Sequence, residues 1–319
     1  KAQAKNILEI GVLLPLSGEF KYIGDSFLKA IQLGLHDISN KNIKIYPKDS
    51  KANAIDAYKA AKEFQEQGIK IVIGPIFFES LEKLSNFNNI TFISFTNKTE
   101  QISDNIVSFG ININSQINII EEYFNKNNIS KTLFLSPKSE FINQTEKIKK
   151  SKIKFHNTFK YNTSPKMITG EIQKLTKYQE RKKDLERRID ILEKSDLYKD
   201  KQELKRLEQI HTLGKVSFDS IIVLDFGERL KSVLTSFIFS DVTSNKIKFF
   251  TINQWFDETF FNESALENLH FPAVNLANFK KFNKKYSTTF NEKANQVAIL
   301  AYDALGLIYY CWYNNNFMF

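Results

Sequence analysis

Short apolar runs alternate with amphipathic segments along most of the chain. Residues 8–14, LEIGVLL, predict a buried strand, and the segment after it places Leu28, Ile31 and Leu35 on one helical face. Further strands are predicted over residues 42–50, 69–75, 90–95, 106–111, 131–136, 152–161, 217–226 and 246–252. Helices are predicted over residues 53–68, 79–87, 115–127, 143–150, 227–239, 277–290 and 295–312.

This alternation predicts an α/β protein, because strands separated by helices of this length pair as parallel βαβ units. The predicted strands are too many for a single sheet, so we expect two doubly wound parallel-sheet lobes. We place the N-terminal lobe at residues 1–111 and 254–319, and the second lobe at residues 112–253.

One crossover of the second lobe is far longer than a parallel crossover requires. The segment between the strands at 152–161 and 217–226 runs for about fifty residues, where a single helix would suffice. Within it, Tyr178, Leu185 and Leu192 recur every seven residues, and Leu197, Leu204 and His211 repeat that spacing on a second arm. Asp200 and Glu203 fit a capping box at the start of the second arm. We predict a helical hairpin inserted at about residues 171–213, with its charged faces in water.

The hairpin has two interpretations. It can be a docking surface for a protein partner, or a solvated decoration that only lengthens the crossover. The docking interpretation rests on residues of the first arm, namely Arg181, Leu185, Arg188, Ile189 and Leu192.

Composition narrows the function classes without selecting one. The chain of 319 residues has a formal net charge of +9, but its lysines are scattered and not interleaved with aromatic residues, so we expect no nucleic-acid partner. The single cysteine, Cys311, excludes an intrachain disulfide. No apolar run is long enough to span a bilayer, and the polar start does not resemble a signal peptide.

No pattern of catalytic or metal-binding residues stands out. The four histidines are isolated from other metal-ligating residues, and neither a phosphate-binding glycine loop nor a nucleophile elbow is present. We therefore predict a protein without catalytic residues, metal or cofactor.

The remaining candidates lie in loops after the parallel strands, where open α/β sheets bind ligands. Polar residues there can hydrogen-bond a small ligand and aromatic residues can wall it in, although each can equally cap a helix or close a seam. The ligand candidates are Ser17, Phe77, Phe78, Glu79, Thr96, Asn97, Phe141, Glu228, Asn253 and Trp255.

Three stretches resemble the type I periplasmic binding proteins, whose familiar members are branched-chain amino-acid receptors. They are IGVLLPLSGEFKYIGDSFLKAIQLG, IKIVIGP and FISFTNKT. The resemblance implies two lobes joined by crossing strands, a ligand cleft between them and a periplasmic location. It also allows a membrane tether through a lipid anchor upstream of Lys1.

A closer resemblance is to the penicillin-binding-protein activators of that superfamily, above all the alphaproteobacterial ones. It is carried by the insertion, by FDSIIVLDFGERLKSV after it, and by KFFTINQWFDE with the C-terminal helices. The resemblance implies a non-enzymatic regulator of peptidoglycan synthesis whose partner is a cell-wall synthase. The alternative is a receptor that delivers an amino acid or related small polar solute to an ABC transporter permease.

Two departures from amino-acid receptors bear on that choice. The loop after the third strand carries Phe77 and Phe78 where receptors place small hydroxyl residues, and the second-lobe Tyr-Gly element is replaced by SEFIN with Phe141. An amino acid also needs a partner for its ammonium group, for which only Glu79 and Glu228 are candidates.

Overall fold

The computed structural model describes residues 7–98, 102–253 and 267–315. The chain divides into two compact units, Lys1–Ser115 with Ala273–Phe319, and Gln116–Pro272. Each unit contains one five-stranded sheet, and every strand pairing within the two sheets is parallel. The predicted α/β class, with parallel sheets in two lobes, is confirmed.

The first unit begins with two strand–helix pairs, which are followed by three strands with no α-helix between them. Their bounds are β1 (Leu8–Leu14), α1 (Lys21–Ile38), β2 (Ile43–Asp49), α2 (Ala54–Glu66), β3 (Ile71–Ile73), β4 (Thr91–Ser94) and β5 (Ile106–Ser108). The strand order is β2-β1-β3-β4-β5, so the largely buried strands β1 and β3 lie inside the sheet. This agrees with the rule that strands covered on both faces are nearly continuous in apolar residues.

The prediction of an α-helix over residues 79–87 is wrong. Two short 3-10 helices, Phe78–Leu81 and Leu84–Asn86, occupy that stretch. The buried side chains Leu81, Leu84 and Phe87 are spaced by three, which is the repeat of a 3-10 helix, and all three pack in one core with α2. The spacing of three is therefore the local signal that distinguishes this stretch from an α-helix.

The second unit repeats the alternation and adds helices between β7 and β8. Its elements are α3 (Ile113–Asn127), β6 (Thr132–Pro137), α4 (Ile142–Lys149), β7 (Phe155–Tyr161), α5 (Pro165–Leu175), α6 (Tyr178–Glu193), α7 (Tyr198–Leu207), β8 (Ser220–Val223), α8 (Gly227–Phe239), β9 (Lys248–Thr251) and β10 (Leu269–His270). The strand order is β10-β9-β8-β6-β7. The helices α5 and α8 pack together over the sheet, and Ile168, Ile172, Leu230 and Leu234 join its core.

Two further helices, α9 (Leu276–Phe290) and α10 (Ile299–Asn314), complete the first unit by packing on α1. Gly34 of α1 faces Leu305 of α10 so closely that an added Cβ would lie 2.9 Å from its Cδ2 atom. Among the described helices, none combines the length and apolar character that a bilayer crossing requires.

The predicted hairpin consists of α6 and α7. The ordinary crossover helix is α5, which ends at Leu175, so the hairpin is an addition that follows it. Leu185, Leu192 and Leu207 are buried in the seam between the arms. The seven-residue spacing holds on the first arm, whereas Leu197 and His211 of the second arm are exposed and the seam continues through Leu204, Ile210 and Leu213.

The capping box predicted at Asp200 and Glu203 is wrong. The carboxylate of Asp200 accepts a hydrogen bond from the Ser195 hydroxyl. Glu203 instead reaches across the hairpin, where its two carboxylate oxygens accept from Arg188 Nη2 at 2.9 Å and Nε at 3.4 Å. A bidentate pair of this kind fixes the register of one arm against the other.

A buried guanidinium joins the hairpin to the rest of the second unit. Arg181 is 8% exposed and donates to the Thr176 carbonyl at 3.0 Å, the Thr212 hydroxyl at 2.9 Å and the Ser240 carbonyl at 2.5 Å. Burial lowers its pKa, and the charge of Asp241 opposes that shift. These bonds connect the start of α6 to the end of the hairpin and to the turn after α8.

We therefore expect Arg181→Ala to lower the free energy of unfolding by about 2–4 kcal/mol, because three acceptors lose their donors in a buried setting. Urea unfolding followed by circular dichroism measures this change. The adjacent exposed residue provides the control, since Lys182→Ala should stay within about 0.5 kcal/mol of the parent protein. Equal stability of the two variants would contradict the anchoring role of Arg181.

Candidate functional site

At the carboxyl edge of the first sheet, where its strands end, the loop after β1 is tied to the end of β2. The Ser17 hydroxyl donates to Asp49 Oδ2 at 2.5 Å, and the backbone amides of Leu16 and Lys51 donate to Asp49 Oδ1 at 2.8 and 2.9 Å. Burial alone would raise the pKa of Asp49, but these hydrogen bonds and the charge of Lys51 lower it overall. Ser17 therefore fixes its own loop.

The loop after β4 is also held by its own hydrogen bonds. The Ser94 hydroxyl donates to the Pro75 carbonyl at 2.9 Å and accepts from the Thr96 amide at 3.2 Å. Thr96 is buried, and its hydroxyl oxygen accepts from the Lys98 amide at 3.2 Å. Asn97 is exposed.

The loop after β3 presents aromatic rings beside one lysine. Phe77 lies 4.6 Å from the ring of Phe20, centroid to centroid. The ammonium group of Lys98 lies 4.5 Å from the ring centre of Phe78 and 3.6 Å from Glu79 Oε1. Phe78, Glu79 and Lys98 line a cavity of about 450 Å³, called here the first-unit cavity. Its other lining residues are Leu81, Glu82, Ser85, Ile102, Ser103 and Ile106.

At the carboxyl edge of the second sheet, a fully buried carboxylate collects hydrogen bonds from three segments. Asp225, directly after β8, accepts from the hydroxyl of Tyr161 at the end of β7. It also accepts from the Phe226 amide at 2.8 Å, and from Arg229 Nε and Nη2 at 3.1 and 2.9 Å. Burial, followed by the charge of Asp225, raises the pKa of Tyr161 and keeps its proton in place.

Arg229 extends this network to the loop after β6. Its Nη1 and Nη2 atoms donate to the two oxygens of Glu140 at 2.5 and 2.8 Å. The hydrogen bond to Glu140 raises the pKa of Arg229 and lowers that of Glu140. Tyr161, Asp225, Arg229 and Glu140, called here the edge network, thus link the ends of β6, β7 and β8 to α8.

Two of the second-unit candidates, Phe141 and Glu228, adjoin members of this network in sequence. Phe141 has a φ of 54°, the left-handed conformation that favours glycine, and its ring lies 5.5 Å from that of Phe226. Glu228 is 85% exposed and lies 3.8 Å from the Lys231 ammonium group. Asn253 is buried, and its side-chain Nδ2 donates to the Pro272 carbonyl. Its backbone amide donates to the side-chain oxygen of Gln116. Trp255 lies outside the described residues.

The predicted docking residues all serve the hairpin itself. Leu185 and Leu192 are buried in the seam and Ile189 packs against it, Arg181 is buried at the base, and Arg188 is paired with Glu203. The apolar side chains that the hairpin does expose are different ones. Ile191, Leu197 and Tyr198, called here the tip patch, are 60%, 67% and 75% exposed.

The sequence reasoning missed both the edge network and the tip patch. The network joins residues 64 and 89 positions apart, so no local spacing reveals it. The tip patch had a signal, since Ile191 falls outside the seven-residue repeat and Leu197 and Tyr198 sit at the start of the second arm.

The edge network makes the free energy of unfolding depend on pH. The pKa of Glu140 is lowered from its ordinary value of 4.5, so its contribution is present above that pH and is lost as the pH falls. We expect the parent protein to lose more stability between about pH 7 and about pH 3 than the variant Glu140→Gln. Urea midpoints at both pH values test this, with the exposed Glu122→Gln as a matched control. Equal acid sensitivity of the parent and Glu140→Gln would contradict it.

Comparison with known proteins places these units in a fold. A family model described as periplasmic binding protein matches residues 8–154. No curated protein sequence matches the chain.

Several solved structures match most of the chain in fold at low sequence identity. A putative branched-chain amino acid ABC transporter protein from Rhodospirillum rubrum matches with a TM-score of 0.64 and 14% identity, covering 94% of this chain and 82% of its own. LivJ from Streptococcus pneumoniae, solved with isoleucine, matches with a TM-score of 0.56 and 17% identity over the same shares. Full-length LpoA from Haemophilus influenzae matches with a TM-score of 0.56 and 13% identity, covering 96% of this chain and 51% of its own.

At these identities the likeness is one of fold. The chain therefore has the fold of the type I periplasmic binding proteins, as its sequence predicts, with two α/β units that are each built on a parallel five-stranded sheet.

Proposed function

We propose that this protein is a non-enzymatic regulator of peptidoglycan synthesis that acts outside the cytoplasm by binding a penicillin-binding protein. The observation that carries the proposal is the edge network. A receptor for a charged solute needs unpaired polar groups where the ligand binds, because burying a charge without a partner is costly. At the carboxyl edge of the second sheet, Asp225, Arg229 and Glu140 already bond to one another.

The two acidic candidates for an ammonium site, Glu79 and Glu228, do not supply the charged ligand site that the edge network lacks. Glu79 lies 3.6 Å from the Lys98 ammonium group and Glu228 lies 3.8 Å from that of Lys231. Both carboxylates are largely exposed, at 66% and 85%, so they remain hydrated and would gain little from an incoming amine. This favours a function exercised through the protein surface.

The tip patch is the surface feature that best fits a protein partner. Ile191, Leu197 and Tyr198 expose apolar area on an element that the sheet does not need. Exposed apolar surface marks interaction sites, and tyrosine is enriched among the residues that contribute most to protein interfaces. The resemblance of the sequence to the penicillin-binding-protein activators supports the same partner, and full-length LpoA is among the similar solved structures.

The triple variant Ile191→Ser, Leu197→Ser, Tyr198→Ser should therefore weaken binding to the synthase about tenfold or more while leaving the unfolding midpoint unchanged. Biolayer interferometry against the periplasmic domains of the penicillin-binding proteins of the same bacterium measures it. The control is Ile55→Ser with Leu276→Ser, which removes similarly exposed apolar residues from the first unit.

Two outcomes would count against the proposal in different ways. Unchanged affinity of the tip variant for a synthase that the parent binds would refute docking through the tip patch. Failure of the parent protein to bind any of the synthases would refute the regulatory function itself.

The alternative is a solute receptor that delivers its ligand to an ABC transporter permease. The first-unit cavity favours it, because about 450 Å³ is within the range of small-molecule sites and its lining combines apolar side chains with Glu79, Glu82 and Lys98. Solved structures of this fold hold isoleucine and 4-hydroxybenzoate. The ligand on this alternative is an amino acid or a related small polar solute.

If the alternative is right, a saturating solute should raise the melting temperature by about 5 °C or more, because a ligand that binds only the native state stabilises it. Thermal-shift screening with amino acids, small amides and aromatic acids measures this. Lys98→Ala, which removes the cationic group of the cavity, should abolish the shift for an anionic ligand. A flat response across the whole panel would exclude the alternative.

A further inference from the structure

A second and larger cavity lies at the base of the hairpin. It encloses about 860 Å³ and belongs entirely to the second unit. Its walls are the segment from Arg206 to Ser217, which leads back from the hairpin, and the residues just before β6, β8 and β9. This base cavity therefore opens at the amino edge of the sheet, where its strands begin, and shares no residue with the edge network.

The interior of the base cavity is apolar. Phe218, Val242 and Ile247 are buried members of the second-unit core that also line the cavity. Half-buried apolar side chains from the hairpin's return segment, Ile210, Leu213 and Val216, add to them. Such a lining excludes a small, purely hydrophilic ligand and suits an alkyl or aromatic group.

The rim of the base cavity is basic. Five basic side chains line it against two acidic ones, Asp219 and Asp241. Both carboxylates are already occupied, since Asp241 accepts from the Thr212 hydroxyl and from Lys246 Nζ at 3.1 Å, and Asp219 accepts from the Lys131 amide at 3.2 Å. The cavity consequently presents excess positive charge.

Three of the basic side chains are available to a ligand. Arg181 is committed to its three hydrogen bonds and Lys246 to Asp241. Lys131, Arg206 and Lys215 are exposed and form no ion pair within the part of the chain that the structure describes. An apolar interior with three unpaired cations at its mouth is complementary to a molecule with an apolar tail and an anionic head.

We propose that the base cavity binds a monomeric amphipathic anion, with its acyl or aromatic tail among Phe218, Val242 and Ile247 and its carboxylate or phosphate on Lys131, Arg206 and Lys215. The volume supports a single small molecule, because about 860 Å³ lies within the range of ligand sites. An acidic peptide segment of a protein partner would meet the same charges, but it would leave the apolar depth of the cavity unfilled.

Isothermal titration calorimetry on the full chain tests the proposal with dodecanoate and dodecyl phosphate, both kept below micelle formation. Both anions should bind at a single site, and dodecyltrimethylammonium, with the same tail and the opposite charge, should not. Shortening the tail by two carbons should weaken binding on the order of tenfold, because the tail is buried.

Matched variants locate the site. Lys131→Gln with Lys215→Gln should weaken anion binding about tenfold or more, since two of the three head-group contacts are lost. Lys160→Gln with Lys166→Gln removes the same charge from exposed positions of the second unit outside the cavity and should bind as the parent does. Val216→Asp, which places a negative charge on the cavity wall, should also abolish binding.

Several results would overturn the proposal. The first is that the cationic amphiphile binds as tightly as the anions, and the second is that both lysine double variants lose the same affinity. The third is that the protein binds phosphatidylglycerol vesicles but not the monomeric anions. The fourth is that it binds only an acidic peptide. Because the site is independent of the tip patch, the tip variant should bind dodecanoate normally, so failure of the regulatory function and failure of this proposal remain distinguishable.

Discussion

Asp225 is completely buried at the end of β8, and its negative charge has to be balanced by groups that the fold brings to it. Those groups come from the end of β7, from α8 and, through Arg229, from the loop after β6. Removing one member of such a set leaves the others unsatisfied, so the loops they belong to are held together. The carboxyl edge of the second sheet is consequently fixed by its own charges, and this limits what else can bind there.

The hairpin is held to the second unit by the same kind of constraint. Arg181 is the buried cation at its base, and its donors reach the end of α5, the end of the hairpin and the turn after α8. Beyond that base the arms are joined by the leucine seam and by Arg188 with Glu203. The first-arm side chains that the sequence offered for docking are thus buried or paired within the second unit. The large apolar side chains that the hairpin leaves exposed are those of the tip patch.

The fold was predictable because its signals are local, and most of the candidate site was not because its contacts are remote. A buried parallel strand such as β1 is recognisable in the sequence as an apolar run. The first arm of the hairpin is recognisable from the seven-residue spacing of Leu185 and Leu192, which lie in its buried seam. By contrast, Tyr161 and Asp225 meet only after the sheet has formed. Ser17 and Thr96 were predicted as ligand candidates from their place in loops after strands. Whether such a hydroxyl bonds to a ligand or to the protein itself depends on neighbours such as Asp49 and Lys98.

A single insertion, the hairpin, provides both the tip patch and a wall of the base cavity. Crossovers lie on the surface, and the entropy of closing a loop grows only slowly with its length, so added residues there leave the sheet undisturbed. The two ends of the hairpin are brought together by the Leu213 amide, which donates to the Arg181 carbonyl at 3.0 Å. The returning segment then supplies a wall of the base cavity and leads directly to the buried Phe218 of the core. The same residues that tie the hairpin down therefore create a new concave surface at the amino edge, while the network around Asp225 holds the carboxyl edge.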